Sequence, residues 1–148
     1  MQTLQFSIDI NATPTHVWKC LWQKDHYTNW TSAFCQGSYY ETNGLEEGNV
    51  IRFLTPEGHG MFSIIHQLIP DQFMAFKHMG NIADFKDEPL DDDTKKWTGA
   101  IESYEVIAKD ELVTVNVKVD TVDEYINHMN ESFPRALEKL KILAEKSK

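Results

Sequence analysis

Leu4, Phe6, Ile8 and Ile10 alternate with Thr3, Gln5, Ser7 and Asp9 at the start of the chain, the period-two pattern of a strand with one buried face. Thr13-Pro14 then reads as a helix start, with threonine at the N-cap and proline in the first turn, where its missing N–H costs nothing. Val17, Trp18, Leu21 and Trp22 recur at helical spacing and predict a short amphipathic helix; a second helical stretch is expected through Tyr27 and Trp30 to Phe34. From Gly37 onward the period changes to short apolar or alternating runs, which predict strands over 38–42, 49–54, 60–69, 73–78, 97–107 and 112–119. Asn43-Gly44, Pro56-Glu57-Gly58, Pro70-Asp71 and Lys109-Asp110 separate them, each built from turn-favouring residues. Connections this short join neighbouring antiparallel strands.

Residues 80–96 lack periodicity and carry Asp84, Asp87, Glu88, Asp91, Asp92 and Asp93, so they read as a long exposed loop, either a lid or an acidic solubilising segment. The last segment is the strongest helix signal. Thr121 and Glu124 have capping-box spacing, and Val122, Ile126, Met129, Phe133, Ala136, Leu137, Leu140 and Leu143 form one stripe, with Tyr125 counted among the side chains facing the sheet. About 24 residues are expected to be helical, near 36 Å at 1.5 Å per residue. Pro134 interrupts the run and predicts a kink there, since it removes one backbone hydrogen bond and crowds the preceding turn.

The order is therefore strand, two short helices, about six strands and a long helix. This is an α+β chain whose largely antiparallel, curved sheet of about six or seven strands must bury its apolar face, and only the C-terminal helix is long enough to cover it. Residues 1–148 are expected to form a single domain of this kind, since a second domain would need a core of its own.

Ala12 to Trp18, Trp30, Gly60 to Phe76 with its central Ile69-Pro70, Trp97-Thr98-Gly99, and Phe133 to Lys141 together resemble the START-related helix-grip superfamily, also called SRPBCC. Within that superfamily the chain is similar to the branch containing the activator of the heat-shock-ninety chaperone ATPase. The resemblance implies the fold and a cavity between sheet and long helix; it carries no catalytic motif, and such folds share shape far more than activity.

Composition narrows the partners. The formal charge is −9, and the two arginines, Arg52 and Arg135, do not cluster, which disfavours a nucleic-acid surface. No apolar run approaches the length of a membrane span. Met1 to Asp9 has neither a basic start nor a continuous apolar stretch, so a cytoplasmic location is expected, with Cys20 and Cys35 as thiols rather than a disulfide.

Candidate chemistry is sparse. His16, His26, His59, His66, His78 and His128 include no close metal-ligand pair, and Gly58-His59-Gly60 lacks the lysine of a phosphate loop, so no metal and no cofactor are expected. His66 and His78 could face one another across the strands joined by Pro70-Asp71. Glu102 and Glu105 differ in strand parity, which argues against a catalytic acid pair, and Arg52 either faces solvent or anchors an acidic ligand. Trp30, Phe53, Phe62, Phe76, Tyr104, Tyr125, Met129 and Phe133 are the candidates to line a pocket for a small apolar or amphipathic molecule, the alternative being that they fill the core. A binding protein is the leading expectation; a protein-interaction module with a chaperone or other protein as partner comes next, and a cyclase- or hydratase-like enzyme last. The charge generates a direct test: the protein should not retard duplex DNA in a gel-shift titration at moderate salt, and micromolar, salt-sensitive retardation would contradict the charge argument.

Overall fold

The computed structural model describes residues 1–148. The alternating N-terminal run forms β1 (Gln2–Ile10), followed by two short helices, α1 (Pro14–Trp22) and α2 (Lys24–Thr31). Thr13 caps α1 as its position foretold: its Oγ1 accepts from the His16 backbone N–H at 3.2 Å, with Pro14 in the first turn. The meander comprises β2 (Tyr39–Thr42), β3 (Val50–Leu54), β4 (Gly60–Ile69), β5 (Phe73–Ala83), β6 (Lys86–Asp87), the short helix α3 (Asp92–Lys95), β7 (Ile101–Lys109) and β8 (Leu112–Thr121). A 3-10 turn at Asp123–Tyr125 leads into the long helix α4 (Ile126–Ser147).

Eight strands make one sheet in the order β1-β8-β7-β5-β4-β3-β2, all pairs antiparallel, with β6 attached to the end of β5. This is the α+β helix-grip architecture, with the two-residue β6 as the strand that no sequence pattern marked. Two register shifts between β4 and β5, at Phe62/Ser63 and at Ile65/Gln67, bend the sheet where the pairing is interrupted. Gly60 permits the close approach of β3 to β4, because a Cβ there would lie 1.7 Å from the Phe53 carbonyl oxygen.

The helices cover one face of the curved sheet. Phe133, Ala136, Leu137, Leu140 and Ala144 of α4 join Val17, Leu21, Ile10, Val113, Val115 and Val117 in a single buried cluster, so the sheet's apolar parity and the helix stripe meet. Leu140 and Ala136 are completely excluded from solvent. No helix is long and apolar enough to cross a membrane.

Several local expectations are corrected. Residues 80–96 are not one loop: β5 continues to Ala83, reverses through Asp84 and Phe85 at φ 51° and 64°, pairs with β6, and is followed by α3. Asp91 caps α3, its Oδ1 accepting from both the backbone N–H and the hydroxyl of Thr94. Trp97 lies in the turn after α3 instead of opening a strand, because Thr98 and Gly99 complete that turn first. Thr121 is no helix cap; it ends β8 opposite Gln2, and α4 begins five residues later. Tyr125 therefore sits before the helix and is half exposed instead of buried against the sheet. Apart from these corrections, α4 is one continuous helix through Pro134, which is on the solvent face together with Asn130, so the carbonyl that loses its intrahelical partner is left to water.

The packing makes a quantitative prediction. Leu140→Ala should lower unfolding free energy by about 2–5 kcal/mol, since the site lies at the junction of α4 and the sheet and cannot fully collapse. Urea melts of parent and variant measure it; a loss under about 1 kcal/mol would show that α4 is loosely seated.

Candidate ligand-binding cavity

The inner face of the sheet is set by strand parity: Ile51 and Phe53 on β3, Met61 and Ser63 on β4, Met74, Phe76 and His78 on β5, and Glu102 and Tyr104 on β7 share it through their cross-strand pairing. Helix α4 packs on β1, α1 and α2, so it crosses the sheet on the β1 side. Over β3, β4 and β5 the cover is made by side chains that α1, α2 and the start of α4 send across the sheet, and a cavity of two lobes remains there.

The inner lobe, about 190 Å³, is lined by Trp22, Tyr27, Trp30, Phe34, Phe53, Phe76, Tyr104 and Phe133. The outer lobe, about 270 Å³, is lined by Asn81, Trp97, Val119, Asp120, Val122, Tyr125 and His128. Met61, His78, Glu102 and Met129 border both. Together the lobes fall within the ~300–1,000 Å³ usual for small-molecule sites. A larger groove of about 740 Å³ lies outside the sheet between Thr15, Asp71 and Glu105, but it is open to solvent and has no aromatic wall beyond Phe73.

Of the residues singled out from the sequence, Trp30, Phe53, Phe76, Tyr104, Met129 and Phe133 come together around the inner lobe. Tyr125 borders the outer lobe only. Phe62 does not line the cavity. It pairs with Arg52 on β3 and packs on Gly80 on the opposite face, where a Cβ at position 80 would sit 2.6 Å from its ring. The two histidines also part: His66 is the unpaired residue of the second register shift and is exposed, whereas His78 lies opposite Ser63. Arg52 points outward and forms an ion pair with Asp87 of β6, so it anchors nothing inside. Glu105 faces away from Glu102, as their parity required.

Perpendicular aromatic contacts fix the walls. Trp22 meets Tyr104 with ring centres 5.0 Å apart at 89° and Phe76 at 5.4 Å and 79°; Phe53 meets Phe76 at 5.0 Å and 80°. Each such pair contributes about 0.5–1.5 kcal/mol beyond its buried area. The indole N–H of Trp30 donates to the Leu21 carbonyl at 3.1 Å, while the Trp22 indole N–H has no partner.

At the junction of the lobes lies a polar network that no sequence motif announced. The Ser63 hydroxyl meets His78 Nδ1 at 2.6 Å, His78 Nε2 meets Glu102 Oε1 at 2.9 Å, and the Tyr104 hydroxyl donates to Glu102 Oε2. The only signal available was the spacing of 102 and 104 on one strand face. Burial works to raise the Glu102 carboxyl, but the hydrogen bond and charge of His78 and the hydroxyl of Tyr104 outweigh it and hold the group below its ordinary 4.5. Burial, and then the charge of Glu102, push the Tyr104 phenol far above its ordinary 10.0.

Serine, histidine and carboxylate in a chain invite comparison with a nucleophilic triad. The geometry is different in one decisive respect: Ser63 is 0% exposed and forms no part of the cavity wall, so no substrate can reach its Oγ. The network instead fixes the orientation of His78 and Glu102, whose side chain keeps 21% of its surface open toward the cavity. No group of three or more His, Cys, Asp and Glu side chains is placed to hold a metal ion.

No family model and no curated protein matches the chain. Solved structures do. The solution structure of the Aha1 dimer from Colwellia psychrerythraea is 22% identical, with a TM-score of 0.72 over 100% of this chain and 99% of that one. Protein MLL2253 from Mesorhizobium loti is 10% identical, with a TM-score of 0.78 over 99% of both chains. DynU16, from the dynemicin biosynthetic locus, has a TM-score of 0.73 at 10% identity; the match spans all of this chain and 49% of that one. At these identities the likeness establishes the fold, and the branch resemblance read from the sequence has a full-length structural counterpart.

The network should be visible in the pH dependence of stability. Because the folded Glu102 binds a proton less readily than the unfolded one, its contribution is present above about pH 4.5 and is lost as pH falls through the lowered folded value. Glu102→Gln should flatten that acid limb in urea melts taken from pH 7 to 3, and an unchanged limb would show that the carboxylate is not held as described.

Proposed function

We propose that this chain is a binding module that holds one small apolar or amphipathic molecule in the cavity between β3–β5, β7 and α4, and that it works in the cytoplasm. The observation that carries this reading is the pairing of an aromatic-walled lobe with a fixed polar junction. Apolar ligand sites are built in this way, with extensive hydrophobic walls and a few convergent polar groups that set orientation. Trp30, Phe53, Phe76, Tyr104, Met129 and Phe133 supply the walls, Tyr125 stands at the outer lobe, and His78 and Glu102 supply the polar groups.

A second reading, a protein-interaction module acting as a chaperone regulator, draws support from the full-length likeness to Aha1. It needs no cavity. A cyclase- or hydratase-like activity has less support, since the buried Ser63 and the committed nitrogens of His78 leave no acid, base and electrophile facing a common substrate position.

Met129 separates the first two readings because it borders both lobes. Nile red, a neutral dye, should bind the parent protein saturably with one site. Met129→Trp should fill the cavity and abolish dye binding at a stability cost below the ~1–3 kcal/mol typical of overpacking a filled core. Dye titration and urea unfolding on the same two proteins give the answer. Strong destabilisation, with no dye bound by the parent, would favour the interaction module.

A further inference from the structure

The two carboxylates on the cavity wall, Glu102 and Asp120, have no lysine or arginine among the residues lining either lobe. Only His78 and His128 could add positive charge, and His78 is not free to meet a ligand anion: Nδ1 is engaged by Ser63 and Nε2 by Glu102. The Tyr104 hydroxyl is likewise spent on Glu102, and the hydroxyls of Thr31 and Ser38 donate to the carbonyls of Tyr27 and Cys35. What remains uncommitted at the junction is acceptor capacity. Each oxygen of Glu102 has one side-chain partner, a carboxylate offers about four lone-pair sites, and the side chain is partly open to the cavity. The faces of the surrounding aromatic rings add negative quadrupole potential, which attracts cations.

We infer that the cavity takes a small amphipathic amine, its apolar body between the aromatic walls of the inner lobe and its protonated nitrogen on Glu102, and that it discriminates against carboxylates such as fatty acids. This rests on the binding-module reading and specifies its ligand class. A cation entering the cavity loses water, which the free lone pairs of the Glu102 carboxylate and the ring faces replace; a carboxylate would lose the same hydration and find no free charged donor. Two donors on the inner lobe, Trp22 Nε1–H and the Tyr27 hydroxyl, have no partner, but both are neutral and neither supplies the charge that a buried anion would need.

The experiment compares 2-phenylethylamine with 3-phenylpropionate, near-equal in size and opposite in charge at pH 7, by calorimetry and by Nile red displacement. The amine should bind at least about tenfold more tightly, the ratio expected for a charge-assisted hydrogen bond to a partly buried carboxylate. In Glu102→Gln the amine-to-carboxylate ratio should fall to near one; the ratio in the parent protein stands as a test whether or not that variant folds. Equal affinities, or a preference for the carboxylate, would overturn the amine assignment even though Nile red binds and the binding module survives. A parent protein that binds neither ligand nor dye would overturn both. Selectivity retained in Glu102→Gln would move the cation away from that carboxylate and likewise reject the assignment.

Discussion

A curved antiparallel sheet has a concave apolar face too broad for one helix to cover, and the rest of this structure follows from how that face is closed. Helix α4 has 22 residues, roughly 33 Å at 1.5 Å per residue, and it lies over β1, α1 and α2. Its stripe of Phe133, Ala136, Leu137, Leu140 and Ala144 completes a tightly excluded core on that side. Over β3–β5 large aromatic side chains from α1, α2 and the start of α4 bridge the gap. Trp22, Phe53, Phe76 and Tyr104 meet edge to face there and form the walls of the space that remains.

Placing a carboxylate inside that space is costly unless it is hydrogen-bonded. Glu102 meets the condition through His78 and Tyr104, and His78 in turn is steadied by Ser63, so four residues from three strands satisfy one another. The arrangement orients groups without offering a reachable nucleophile. It also makes the cavity electrostatically one-sided: the Glu102 carboxylate faces inward, no lysine or arginine lines the wall, and the free donors there, the Trp22 indole and the Tyr27 hydroxyl, are neutral. The fold shared with Aha1 and with MLL2253 therefore constrains the shape of the site, while its polarity comes from particular side chains of this chain.

Much of the architecture was legible in the sequence because it depends on local periodicity. Alternation marked β1, Thr13-Pro14 marked the start of α1, and the 3.6-residue stripe marked α4, each a pattern that burial of one face imposes on consecutive residues. Where the reading failed, a non-local partner decided the outcome. Thr121 and Glu124 have capping-box spacing, yet pairing with Gln2 holds Thr121 in β8 and delays the helix. The acidic stretch after Gly80 lacks periodicity, yet the reversal at Asp84 and Phe85 lets Lys86 and Asp87 pair with β5.

The same division holds for the site. The sequence by itself determined the helix-grip order of elements and a supply of aromatic and thioether side chains, six of which do gather around one lobe: Trp30, Phe53, Phe76, Tyr104, Met129 and Phe133. Only the tertiary structure decided that Phe62 turns outward with Arg52, that His66 is expelled at a register shift, and that His78 meets Glu102 from a neighbouring strand. The physical reason is register: a single extra residue in one strand reverses which face every later side chain occupies, and nothing in the local pattern records where that residue falls.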